Sequence, residues 1–262
     1  MKERHLLALS GGKDSAALAV YMREKYPHLP MEYVFIDSGH ELPETYEYLE
    51  KIRAILNIDI IQIRPPQNFD YWLSYFGGVL PSPSNRWCTR LLKLKPFNDW
   101  IQKTSKNYRI FNYVGLRADE DRQGYRSNTD EFVQVHPFVT DGLVLDDIKQ
   151  ILIDEGIGFP SYYSWRQRSG CYFCFYQRDD EWRGLREHHP DLFTKACAYE
   201  EGHKDGRSYT WRDSGLLRDL TDSVSLTSRN KTLFVKPYLK ETIGKITSPI
   251  SSLETLLRRN KT

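Results

Sequence analysis

No run of apolar residues in this chain of 262 is long enough to span a bilayer, and only four apolar residues follow the basic start Met1-Lys2-Glu3-Arg4-His5 before a Ser-Gly-Gly turn. A secretory signal needs a longer apolar stretch than that, and a membrane span needs about 20 residues. These absences predict a cytoplasmic protein with no membrane partner. The chain has neither an internal repeat nor a low-complexity tract. Its formal net charge of +2 is too small to announce a polyanionic partner. The charge is uneven, however: from Pro160 onward 18 Lys and Arg stand against 13 Asp and Glu, a weak pointer to nucleic acid. Cysteine is scarce, at four residues, and in a cytosolic chain their placement argues for a metal site over disulfides. What remains is ordinary globular composition, 40% hydrophobic and 27% charged, enough for one substantial core with a small appended module.

Against that background, Ser10-Gly11-Gly12-Lys13-Asp14-Ser15 stands out, directly after the apolar run Leu6-Leu7-Ala8-Leu9 and directly before Ala16-Ala17-Leu18-Ala19-Val20. Strand, glycine turn and helix start form the geometry that holds a phosphate. Two glycines let the backbone approach an anion, the first helical N–H groups point at it, and the hydroxyls of Ser10 and Ser15 with the Lys13 ammonium add donors. A Walker A loop is excluded, because Gly11-Gly12-Lys13 lacks the leading glycine and the long loop that motif requires.

Strand-like and helix-like segments alternate through the first two thirds. Residues 6–9, 31–36, 58–63 and 109–114 read as strands, and 14–26, 43–56, 90–102 and 145–155 as helices. Such βαβαβ order implies parallel strands joined by right-handed crossovers, with ligands gathering beyond the strands' C-terminal ends. The fold class expected is α/β: a Rossmann-like parallel sheet flanked by helices over residues 1–159, with a helical, cysteine-bearing part over 160–262 packed on it. Residues 65–87, rich in Pro, Gly, Ser and aromatics, read as a long irregular loop near the site.

Three motifs resemble one family. The first, residues 10–15, resembles the SGGxDS PP-loop of the ATP pyrophosphatases, which split ATP between its α and β phosphates; the family takes in the phosphoadenylylsulfate (PAPS) reductases, the tRNA thiolases and the sulfur-transfer ATPases of DNA phosphorothioation. The second, Asp37-Ser38-Gly39 followed by Pro43-Glu44-Thr45, resembles the DTG…PET segment of the PAPS-reductase type, with Ser38 where Thr is usual. The third, Gly115-Leu116-Arg117-Ala118-Asp119-Glu120-Asp121-Arg122, resembles the G-[IL]-R-x-x-E-x-x-R signature of the same type. The resemblance implies an adenine nucleotide alpha hydrolase-like fold that binds ATP with Mg²⁺. It makes Ser10, Gly11, Gly12, Lys13, Asp14, Ser15, Asp37, Ser38, Gly39, Glu44, Thr45 and Gly115 the nucleotide-binding candidates. Lys13, Asp14, Ser15, Arg117 and Arg122 become the catalytic ones. Arginine suits the third motif because its planar fork grips phosphate oxygens and stays charged. Arg90, Lys93 and Lys95 match the family's basic segment only loosely, and could line a second-substrate channel or form a solvated face.

Cys171-Tyr172-Phe173-Cys174 is a C-x-x-C, with Cys88 upstream in the basic segment and Cys197 downstream. Four thiolates can close a tetrahedral zinc site or hold a 4Fe–4S cluster, and spacing does not decide between them. Ser169-Gly170-Cys171-Tyr172-Phe173-Cys174 is similar to the S-x-G-C-x-x-C of adenylylsulfate (APS) reductases, which implies a 4Fe–4S cluster on Cys88, Cys171, Cys174 and Cys197, with zinc as the alternative. Those reductases attack sulfur with a cysteine in a C-terminal Glu-Cys-Gly-Leu-His-like motif, and nothing like it follows Cys197. If all four cysteines ligate metal, no nucleophilic thiol remains. The expected activity is therefore ATP pyrophosphatase chemistry that adenylates a substrate for sulfur insertion, most similar to the ATP-pyrophosphatase component of DNA phosphorothioation. DNA and sulfur-transfer proteins such as a cysteine desulfurase are the expected partners. Two other readings stay open: a sulfonucleotide reductase that borrows a partner's thiol, and a non-catalytic nucleotide-binding iron–sulfur subunit.

Overall fold

Leu6 and Leu7 are both fully buried although neighbouring residues of a strand face opposite ways, the mark of a central parallel strand covered on both sides. The computed structural model describes residues 2–121, 131–201 and 209–221. Its five strands, β1 (Lys2–Ala8), β2 (Met31–Ile36), β3 (Ile60–Ile63), β4 (Tyr108–Tyr113) and β5 (Phe132–Val135), form one parallel sheet in the order β3-β2-β1-β4-β5. Leu7 of β1 pairs with Tyr33 on one side and Tyr113 on the other. The strand order reverses at β1, so the loops after β1 and β4 diverge there and leave a crevice at their C-terminal ends.

One face of the sheet is covered by α1 (Lys13–Lys25), α2 (Pro43–Leu56) and α7 (Leu145–Asp154). Ala16, Ala17 and Ala19 of α1 are fully buried, and their short side chains let that helix lie close to the sheet. The other face packs Leu6, Val34, Ile63 and Ile110 against Phe97 of α5 (Lys95–Thr104). A further core lies away from both faces. It joins Leu42, Phe69, Leu80, Trp87 and Leu92 to Tyr162, Tyr172, Phe173, Trp182, Phe193 and Trp211, so residues from both sides of position 160 share one apolar interior. Trp87 belongs to the short turn α4 (Trp87–Thr89), Trp182 to α8 (Asp179–His188) and Phe193 to α9 (Pro190–Ala198).

Three details differ from the expectation. Residues 65–87 are not irregular throughout: α3 (Phe69–Tyr75) forms there, because Phe69 is fully buried and the Asn68 side chain accepts the Tyr71 N–H at 2.9 Å. Asn68→Ala removes that cap and is expected to lower the unfolding free energy by about 1 kcal/mol, read from a urea titration. The helix expected at 90–102 starts with α4 and passes through a π-helical turn, Arg90–Leu94, before becoming α5. The fifth strand, β5, was not expected, and it is followed by a single helical turn, α6 (Pro137–Thr140). No helix among the described residues is long and apolar enough to cross a membrane.

Candidate functional site

The glycine turn after β1 is braced from within. The Ser15 hydroxyl donates to the Gly12 carbonyl at 3.0 Å and accepts the Ser10 N–H at 3.0 Å, closing residues 10–15 on themselves. Gly11 has φ +72°, and a Cβ there would meet Thr45 Cγ2 at 2.4 Å, so only glycine lets the turn nest against the first turn of α2. The N-cap of α1 is Gly12, which has no side chain of its own to occupy the first N–H groups, and only the Tyr163 hydroxyl reaches the Lys13 N–H, at 3.3 Å. The helix therefore presents its N-terminal dipole and first N–H groups towards the turn, as an anion site requires. Lys13 Nζ lies 2.9 Å from Asp14 Oδ2 and 5.6 Å from the ring centre of Tyr163.

The loop after β4 arrives at the same place. A Cβ on Gly115 would stand 2.7 Å from the Asp14 carbonyl oxygen, so the absent side chain sets how closely the third motif approaches the first. Arg117 then donates to Asp14 Oδ1 at 2.8 Å and to Asp119 Oδ1 at 2.8 Å, with Glu120 at 3.3 Å. Burial works against the Arg117 charge, but its hydrogen bonds to the Asp14 and Asp119 carboxylates outweigh it and its pKa is raised. Asp14 is thus held between Lys13 and Arg117 beside the turn. Arg122 lies outside the described residues.

The second motif divides into separate roles. Asp37 is buried, and its carboxylate accepts from the Gly39 N–H, the Tyr46 hydroxyl, Gln62 and Arg64 at 2.7–3.0 Å, so its oxygens hold the β2–α2 turn in shape. Gly39 has φ +78° and is exposed within that turn. Ser38 is buried, with its hydroxyl 3.2 Å from Glu41 Oε1 and 3.2 Å from Cys171 Sγ. Glu44 bonds His189 Nε2 at 2.7 Å, tying α2 to the start of α9. Thr45 is the residue against Gly11.

Several residues of the site carried no signal in the sequence. The Tyr162 hydroxyl donates to the Gly11 carbonyl at 2.7 Å, and the Tyr163 hydroxyl accepts the Lys13 N–H at 3.3 Å. Ser169, quoted only for its place before the C-x-x-C, reaches Ser10 Oγ at 3.2 Å. The cysteine-bearing segment is therefore laid across the phosphate turn.

Its thiols gather unevenly. Cys171 is pushed up to about 12 by burial and by the neighbouring Glu41, while Cys174 acts electrostatically on both Cys171 and Cys88. Burial raises Cys88 as well. Cys197, on α9, is pushed up to about 11 by burial, and the charges around it are Glu200, Arg218 and Glu201. Among the described residues no three His, Cys, Asp or Glu side chains group closely enough to hold a metal ion. A single zinc ion needs thiolates in mutual contact, since its Zn–S bonds are only about 2.3 Å long. Cys88, Cys171 and Cys174, linked electrostatically through Cys174, are thiols that could serve a cubane cluster, which spreads its ligands over separate iron corners. Lys93, 3.2 Å from Glu41, adds a positive charge beside them.

Residues 4–141 match the model of the phosphoadenosine phosphosulfate reductase domain, more than half of the chain. The chain belongs to that family. The matched stretch of the PAPS reductase domain contains all three motifs and Cys88, and it ends before the C-x-x-C. An uncharacterized protein of Methanocaldococcus jannaschii is 26% identical over 195 residues, 72% of this chain and 45% of its own length. The adenosine 5'-phosphosulfate reductase of Streptomyces coelicolor is 28% identical over 99 residues, 38% of this chain and 39% of that enzyme. The chain thus spans less than half the length of these curated relatives. The PAPS reductase of Candida auris, solved as a phosphate complex, superposes with a TM-score of 0.50 at 14% identity, covering 64% of this chain and 81% of that one. The fold is that of the adenine nucleotide alpha hydrolases, a parallel five-stranded sheet between helices.

Proposed function

We propose that this PAPS reductase-family protein is an ATP pyrophosphatase that adenylates an oxygen of its acceptor so that sulfur can replace it. The acceptor oxygen attacks the α phosphorus of ATP, the bond to the β-phosphate oxygen breaks, and pyrophosphate leaves; a sulfide-level sulfur, freed from the source's persulfide by a thiol reductant, then displaces AMP, which carries the acceptor oxygen away. The observation that carries this reading is the convergence of the α1 helix start, Lys13, Asp14 and Arg117 on one glycine turn. Such a site works by positioning and by neutralising charge on the leaving group. Asp14 or Glu120 would supply a carboxylate to Mg²⁺, which binds through one or two carboxylates and the substrate's phosphates and would add charge neutralisation.

The acceptor we assign is DNA, as in phosphorothioate modification, with a cysteine desulfurase-type partner as sulfur source. Support comes from the surface near the thiols. Tyr176 is exposed between two guanidinium groups, Arg168 at 4.9 Å and Arg86 at 5.7 Å from its ring centre, and Tyr71 and Tyr75 are also exposed. Aromatic faces beside cations suit unpaired bases and their backbone. For the cluster, Cys88, Cys171 and Cys174 form the common neighbourhood, and Cys197 is the fourth ligand assigned from the sequence.

Anaerobically purified protein given labelled ATP, Mg²⁺ and DNA is expected to release AMP and pyrophosphate. ADP with phosphate, or no product with any acceptor, would overturn the reading. Cys174→Ser is expected to bleach the visible absorbance of a cluster and lower the iron content; a colourless, zinc-loaded wild type would remove the cluster from the account.

A further inference from the structure

A cavity of about 620 Å³ opens beside the β2–α2 turn, with Gly39 and Pro43 of the second motif in its wall, and among the described residues none of the glycine turn and none of the third motif lines it. That volume accommodates a nucleoside-sized ligand. Its walls are aromatic: Tyr46 from α2, Tyr172 from the C-x-x-C, Tyr199 just beyond α9, and His40. The tyrosines are already anchored by their tips, Tyr46 to Asp37 at 2.7 Å and Tyr199 to Asp70 at 2.8 Å. Fixed rings offer their faces without losing rotamer freedom on binding. Burial lowers the pKa of His40, which keeps its imidazole neutral near pH 7.

The charged groups on the walls narrow the ligand. Glu41 and Asp70 face one cation, Lys195. Two carboxylates disfavour a phosphate or sulfate, and Lys195 disfavours an organic cation. Glu41 is nine-tenths buried; its Oε1 receives Lys93 and Ser38, while its Oε2 is buried with no partner among protein groups. A neutral planar ring with N–H and carbonyl groups on one edge meets every requirement: its faces stack on tyrosine, its N–H serves a carboxylate and its carbonyl serves Lys195.

We propose that this cavity seats one unstacked nucleobase that carries a carbonyl, thymine, uracil, guanine or cytosine, beside the thiol site. The inference deepens the adenylation reading by naming the acceptor's recognition element, and the base reaches the cavity only by leaving its stack. The wall residue Glu41 lies 3.8 Å from Cys171 Sγ, so a seated base is held next to the segment that carries the sulfur chemistry.

Equilibrium dialysis of the full chain tests this with thymidine, uridine, guanosine, cytidine and adenosine, and with single-stranded octamers of each base. Thymidine, uridine, guanosine and cytidine are expected to bind about tenfold or more tighter than adenosine, the worth of one charge-assisted hydrogen bond. Tighter binding of octamers than of nucleosides identifies a strand as the natural source, and equal binding identifies a free nucleoside. Lys195→Met, at an exposed position, should remove the preference without changing the thermal midpoint. Tyr46→Leu should weaken all bases, and Lys13→Ala should change nothing. Absence of binding, equal binding of all five bases, or displacement of the bound base by saturating ATP would overturn the proposal, the last by making the cavity the adenosine end of the ATP site. AMP release measured on the same preparation separates the two readings: release without base binding sinks this inference alone, and base binding without release sinks the pyrophosphatase alone.

Discussion

Lys13→Ala is expected to slow AMP and pyrophosphate formation by about a hundredfold to a thousandfold, the cost of deleting one preorganised charge at a reacting centre. The side chain is 12% exposed and lies between Asp14 and the face of Tyr163, so its ammonium is already in place before substrate arrives. Its removal leaves Asp14 still paired to Arg117 at 2.8 Å, so the turn keeps its shape and the loss falls on the leaving-group charge. Lys13→Arg is not expected to rescue, because a planar fork does not replace a point charge in that slot. Single-turnover release of labelled AMP measures the effect, and an unchanged thermal midpoint shows that the fold is intact. An undiminished rate in Lys13→Ala would mean that the glycine turn does not hold the reacting phosphates.

Much of this arrangement was legible in the residues themselves. Leu6-Leu7-Ala8-Leu9 followed by Gly11-Gly12 is a local strand-turn-helix pattern, and its observed boundaries differ from the expected ones by a few residues. The start of α2 was equally plain, since Pro43 fits only a first helical turn. The four-residue β5 was missed because it is a short edge strand whose residues are all half-buried, giving no clear alternation. Tyr162 and Tyr163 were missed for another reason: they meet Gly11 and Lys13 about 150 positions away in the chain, and two adjacent tyrosines read as ordinary core. Asp37 shows the converse. Its motif was recognisable, but four donors from the β2–α2 turn, α2 and the end of β3 occupy its oxygens, which only the folded chain reveals.

Gly115→Ala is expected to slow AMP formation as much as the loss of Lys13, because the methyl meets the backbone of α1. The added carbon would lie 2.7 Å from the Asp14 carbonyl oxygen and 2.9 Å from its carbon, and both are backbone atoms at the first turn of α1. Neither partner can turn aside as a flexible side chain would, so the end of β4 has to withdraw from α1. Overpacking of this kind costs about 1–3 kcal/mol. Arg117, two residues further on, then moves off Asp14, separating the charges on which the proposed chemistry depends. Gly142→Ala provides the contrast: Gly142 has φ +71° with nothing within 4 Å of an added Cβ, so its cost is conformational, about 1–2 kcal/mol, and it should leave AMP formation intact. Two variants of similar stability by urea titration, one slowed and one active, would show that the approach of the β4 loop to α1 assembles the site. Equal activity in both would show that the Gly115 contact only supports the fold.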